Sequence, residues 1–186
     1  MRNAAVTEDK ILDLAESLIR KNGYNGVSFR EIASGVGVKS SSVHYYFPAK
    51  KDLGVKVARR YADRFLEKLG DPSDAPDKAD DVLKLVHRLF VEAMGEDGRM
   101  CLCGVLAAES AGLPERVAAE ARVFFDRTLC WLVDALRGTI WGAVKSEREL
   151  NAQALAAMSQ LEGGLLMARV YQKPALLKQM KLQLIS

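Results

Sequence analysis

Apolar residues recur at three- and four-residue spacings along most of the chain. Ile11, Leu12, Ala15, Leu18 and Ile19 form the first stripe. They predict a helix over Glu8–Asn22, with Thr7 as N-cap and Glu8 and Asp9 in the first turn. Arg20 and Lys21 suit its carboxyl end, and Gly23 can close it in a left-handed conformation. Phe29, Ile32, Ala33 and Val36 form the next face, opened by Ser28 with Glu31 three residues on, a capping-box pattern. Gly35 and Gly37 read as the break after it. Val43 and Phe47 share one side of a third short helix, whose other side carries Ser41, Ser42, His44 and Tyr45. Leu53, Val57, Tyr61, Phe65 and Leu69 then repeat every four residues and predict a connecting helix over Lys50–Leu69.

The run Gly70-Asp71-Pro72-Ser73-Asp74-Ala75-Pro76-Asp77 interrupts this pattern with turn formers and acid. It predicts a linker over 70–78 between residues 1–69 and residues 79–186. Helical spacing returns over Lys78–Met94, Met100–Ala111 and Pro114–Arg137. Ser146 and Glu149 form a second capping pair, opening a helix to about Gln172, and Pro174 opens a last helix to the terminus. No sustained period-2 run or internal repeat competes with this reading. The chain is expected to be all-α, with about nine helices.

Two short helices across a glycine-containing turn, the second with a polar and aromatic outer face, form the helix-turn-helix pattern. The stretch from Gly37 to Leu53, with Gly23 to Ser28 and Arg30 to Ala33 upstream, resembles the DNA-binding signature of the TetR/AcrR repressor family. The resemblance implies a three-helix DNA-binding headpiece over 1–69 and a helical effector-binding and dimerisation domain over 79–186. It also implies a regulator that binds a palindromic operator as a dimer, represses, and is released by a ligand.

Charge sharpens the division. Residues 1–69 hold 13 Lys/Arg against 8 Asp/Glu, and residues 70–186 hold 14 against 16. A basic amino-terminal third suits phosphate; the remainder does not. The first twenty residues lack a signal-peptide apolar block, and the apolar stretch near Cys101–Ala108 falls short of the roughly 20 residues a bilayer needs. Three cysteines without a secretion signal predict reduced thiols and a cytoplasmic location. No nucleophile elbow, phosphate loop or dinucleotide fingerprint is present, so no catalytic residue and no cofactor is expected.

Phosphate contacts position a DNA-binding protein and base contacts specify its site. Ser28 and the N–H groups that follow it suit a phosphate. The resemblance implies that Arg30 reaches a guanine edge and that Ser40, Ser41 and Ser42 enter the groove first. It implies that His44 occupies an aromatic phosphate-contacting position, that Tyr45 packs on a thymine methyl or on sugar, and that Lys50 binds phosphate. Tyr46 is counted with these contacts and Phe47 with the core. The family often has a small hydroxyl residue before a basic one at the start of the recognition helix. Here the order is Lys39 then Ser40, which turns the basic side chain by about 100° and assigns Lys39 to phosphate.

Leu150, Ala154, Leu155, Met158, Leu161 and Leu166 make the penultimate helix apolar on more than one face, which requires burial on two sides. The resemblance implies a homodimer through the last two helices of each subunit. For the effector, an unknown small molecule, two routes stay open. One is a reversible apolar ligand. The other is modification of Cys101, since its segment resembles that around the reactive cysteine of the family's N-ethylmaleimide-responsive repressor. Cys101 is expected in the first turn of its helix beside Arg99, a setting that lowers a thiol pKa, with Cys103 and Cys130 inert. All three cysteines as core residues is the plainer alternative. Glu162, between Leu161 and Gly163 in an apolar helix, is assigned with Cys101 to the effector, with a bond to a neighbouring helix as the alternative. Cys101 and Cys103 point about 200° apart on a helix and the chain has two histidines, so no metal site is expected. Two other functions remain: a ligand-independent DNA-binding protein, and an all-α small-molecule-binding module without operator function.

Overall fold

The computed structural model describes residues 2–185, with side chains from Thr7 onward. Among the described residues there are nine α-helices and no strand. They are α1 (Arg2–Asn22), α2 (Phe29–Val36), α3 (Ser40–Tyr46), α4 (Lys50–Leu69), α5 (Ala79–Met94), α6 (Leu102–Ala108), α7 (Glu115–Arg137), α8 (Glu147–Val170) and α9 (Ala175–Gln179).

Four expected boundaries move. Thr7 lies inside α1 rather than at its N-cap. α2 runs through Gly35, where a side chain would collide with Leu14 of α1; Gly35 is a close-approach residue, and Gly37 alone, left-handed at φ 78°, ends the helix. α6 is shorter than the apolar run, so Cys101 immediately precedes it instead of sitting in its first turn. α9 stops after five residues instead of reaching the terminus. Buried Gln153 explains the last change. Its amide donates to Gln183 O at 3.1 Å and its Oε1 accepts from Ile185 N at 2.6 Å, which holds this stretch outside any helix.

Packing groups the chain into two compact units that do not follow chain order. One joins Met1–Asp63 to Leu102–Phe124, and the other joins Arg64–Cys101 to Phe125–Ser186. The expected linker lies in the second, where Pro72–Asp74 forms a 3-10 turn that Asp71 caps through Ser73 N at 2.8 Å.

In the first unit, Leu18 of the α1 stripe is half-buried, while Ile11, Leu12 and Ile19 of α1, Ile32 of α2 and Val43 of α3 are all inaccessible or nearly so. Each such side chain contributes roughly 1.5–3 kcal/mol by leaving water. Tyr61 packs its ring 5.9 Å from that of Phe124, which carries the first half of α7 into the same core. The rim between α1 and α4 is ionic: Lys56 pairs with Glu8 at 2.6 Å and Arg60 with both Asp9 and Asp13. Arg59 pairs with Glu120 of α7 at 2.7 Å. Three basic residues of the headpiece are thus engaged by carboxylates.

In the second unit, the Phe65 and Phe90 rings meet edge-to-face at 5.4 Å, and the Trp131 indole donates to Gly70 O at 2.8 Å. α8 opens with a complete capping box: Glu149 N donates to Ser146 Oγ at 3.3 Å and Ser146 N to Glu149 Oε2 at 2.9 Å. These bonds, with the Lys145 amine, hold the Glu149 carboxyl down at about 2. One side of α8 buries Leu150, Met158, Leu161 and Leu165, and the other leaves Leu155, Leu166, Met167 and Val170 more than half exposed.

Candidate nucleic-acid interface

α2 is set by its first residue: Ser28 Oγ accepts from Glu31 N at 3.2 Å. The Ser28 oxygen is therefore committed to the cap, and its proton is what remains to offer a phosphate. Arg30 is exposed in the first turn of α2. After Gly37, Val38 N bonds Ala33 O at 2.9 Å, so the turn into α3 is tied to the helix behind it. Lys39 follows as the N-cap residue of α3, extended at φ −74° and ψ 148° and exposed. It stands before the helix, not on the face that carries the serines.

α3 is anchored by Val43, fully buried, and by its C-cap Phe47, 2% exposed. Those two contacts turn Ser40, Ser41, His44 and Tyr45 outward, and Tyr45 is 81% exposed. A tyrosine that exposed leaves most of its apolar ring in water, a cost that a DNA surface would remove. His44 is not loose, because its ring stands 4.7 Å from that of Phe29 of α2 in an edge-to-face contact. Ser42 and Tyr46 are half-buried, and the Tyr46 ring supports Tyr45 edge-on at 5.3 Å. The structure thus brings Ser40, Ser41, His44 and Tyr45 onto one face of α3, with Ser42 and Tyr46 partly behind it.

Lys50, at the start of α4, is half-buried and engaged. Its amine lies 3.4 Å from Asn25 O and 4.6 Å from the Tyr24 ring centroid. Burial pushes the ammonium below its ordinary value and the Glu109 charge pushes it back up. Sequence reasoning missed Glu109 altogether. Its carboxylate also accepts from Tyr24 N at 3.1 Å and Asn25 N at 3.4 Å. No periodicity or motif marks it, because its partners are 84 and 85 residues away.

The two residues assigned to the effector meet in the second unit. The Cys101 thiol donates to the Glu162 carboxylate, while Glu162 Oε1 is buried without a hydrogen-bond partner. Burial raises this carboxyl to about 7. Cys101 is 2% exposed and Cys103 is fully buried, whereas Cys130 is exposed. Cys130, expected to be inert, is thus the accessible thiol on the outer side of α7, and Cys101, expected to be reactive, is enclosed. A groove of about 480 Å³ lies between α5 and the segment after α9, lined by Leu83, His87, Met180 and Leu182 among others; Cys101 and Glu162 are not among its lining residues. Among the described residues no group of three or more His, Cys, Asp or Glu could hold a metal ion. No described helix is long and apolar enough to cross a membrane.

Known proteins share this architecture. The sequence pattern of the bacterial regulatory proteins of the tetR family matches residues 11–55. The TetR transcriptional regulator from Legionella pneumophila is 32% identical, with 91% of this chain and 90% of that one covered and a TM-score of 0.83. A TetR-family transcriptional regulator from Agrobacterium tumefaciens is 27% identical, with 96% and 95% covered and a TM-score of 0.85. The icaADBC negative transcriptional regulator IcaR of Staphylococcus aureus is 39% identical over 46 residues, a match that spans only 25% of that protein's length. The chain belongs to the TetR family and is a DNA-binding transcriptional regulator. Proteins of this family bind DNA and usually act as dimers.

Proposed function

We propose that the chain is a cytoplasmic repressor that binds a palindromic operator as a homodimer and leaves it when a small molecule binds residues 79–186. The observation that carries this reading is the outer face of α3. Ser40, Ser41, His44 and the 81% exposed Tyr45 stand over two buried anchors, Val43 and Phe47. Such a face is polar enough for water, and it stands on a helix, the element that a major groove admits.

Within this reading Arg30 reads a base edge. Ser28, Lys39, His44 and Lys50 hold phosphates. Ser40, Ser41, Ser42, Tyr45 and Tyr46 line the groove. The negative-regulator role of IcaR supports repression. The dimer face is the outer strip of α8, Leu155, Leu166, Met167 and Val170, with Leu176 of α9 beside it. Close approach is possible there, since nothing stands within 4 Å of a Cβ at Gly163, while Gly164 is taken by Leu177 and Met180 of its own subunit. Because α9 has five residues, α8 supplies most of the interface. Cys101 and Glu162 are the effector-responsive pair, responding as one hydrogen-bonded unit.

Selection of bound duplexes from a random library tests the whole reading. An inverted repeat protected by two subunits is expected. Recovery of no preferred sequence, or of an asymmetric site bound by one subunit, overturns it.

A further inference from the structure

Gly23–Asn25, the first half of the loop that joins α1 to α2, is gripped from outside the headpiece helices. Glu109, directly after α6, accepts from Tyr24 N at 3.1 Å and Asn25 N at 3.4 Å. Gly23 is left-handed at φ 80°, and a side chain there would collide with the Glu109 carboxylate. The glycine therefore serves both the turn and the entry of the anion. The Lys50 amine completes the cluster: it lies 3.4 Å from Asn25 O, over the Tyr24 ring, and within the field of Glu109. One carboxylate thus caps the amides of Tyr24 and Asn25, the same two residues whose ring and carbonyl hold the Lys50 amine.

We propose that Glu109 is a positioning residue for DNA binding, which fixes the α1–α2 loop through Tyr24 and Asn25 and competes with DNA phosphate for the Lys50 amine. The proposal rests on the assignment of Lys50 to phosphate. A lysine drawn to an internal carboxylate gives up part of that attraction when it turns to phosphate, so Glu109 lowers affinity for every sequence alike. Displacement of Glu109 frees both the amine and the loop, so the position of α6 within this unit bears on the reading head.

Two variants of the full chain separate the charge from the cap. Glu109→Gln keeps an acceptor for Tyr24 N and removes the charge. It should bind a fluorescent duplex of fixed sequence about three- to five-fold more tightly at low salt, the size of one screened interaction between partly exposed charges. The gain should vanish in a Lys50→Met background. Glu109→Ala removes the cap as well and should speed hydrogen exchange in the peptide containing Tyr24 and Asn25. An equal gain from Glu109→Gln with and without Lys50, or no gain at all, overturns the competition. Unchanged exchange in Glu109→Ala overturns the cap. If Lys50→Met alone leaves binding to the duplex unaltered, the phosphate role of Lys50 and the competition fail together, and exchange decides the cap separately.

Discussion

The Cys101 thiol donates a hydrogen bond to the carboxylate of Glu162, and the other Glu162 oxygen is buried without a partner. A carboxylate so placed resists ionisation, because burial penalises its charged form more than one thiol favours it. The folded state binds the Glu162 proton more tightly than the unfolded chain does. The stabilisation this brings is complete below 4.5 and is lost as pH rises through about 7.

Glu162→Gln removes that dependence. The variant should gain roughly 1–3 kcal/mol over the parent at pH 8 and little or nothing at pH 4.5, since one pKa unit is about 1.4 kcal/mol. Urea unfolding of both proteins across this pH range is the measurement. A constant difference would mean that Glu162 does not titrate on unfolding.

Thiol labelling should follow exposure. With iodoacetamide and native protein, Cys130 should react first, because it is the exposed thiol, and Cys101 and Cys103 should react only as the fold opens. Peptide mass spectrometry reads the order. Fast labelling of Cys101 in the native state would revive a directly accessible sensor thiol at that position.

At the DNA face, Arg30→Ala should weaken operator binding by about 1–3 kcal/mol and relax the preference at one base pair per half-site. Lys39→Ala should weaken all sequences alike and flatten the salt dependence by about one unit. Titrations of the selected operator and its single-base variants at several salt concentrations distinguish the two. An unchanged base preference in Arg30→Ala removes Arg30 from readout.

Two leucines of α8 should respond in opposite ways to Asp. Leu166 is 52% exposed on the outer strip, so Leu166→Asp should give a folded monomer. Leu161 is fully buried in its own subunit, so Leu161→Asp should unfold the chain, since an unpaired buried carboxylate costs several kcal/mol. Sedimentation and circular dichroism separate these outcomes. A Leu166→Asp protein that stays dimeric would move the interface off this strip.

Sequence alone determined the helical fold, the helix-turn-helix and the outward face of α3, since each depends on local spacing. The four-residue repeat from Leu53 to Leu69 and the Ser146–Glu149 cap act within a few turns of one helix, so they appear in order along the chain. Tertiary structure decided what depends on partners far away in sequence. The pattern from Pro174 onward reads as helix, yet Gln153, 30 and 32 residues earlier, ties down Gln183 and Ile185 and leaves α9 five residues long. The headpiece charge of residues 1–69 reads as available to DNA, yet Lys56 and Arg60 are engaged by the acids of α1 and Arg59 by Glu120. Sequence context singles out Cys101 as the reactive thiol and reads Cys130 as inert, yet the packing around them buries the first and exposes the second. Glu109 carries no signature of its own; its role exists only where the end of α6 meets the loop between α1 and α2. Periodicity reports which side of a helix is apolar, and packing alone decides what that side, or a single carboxylate, touches.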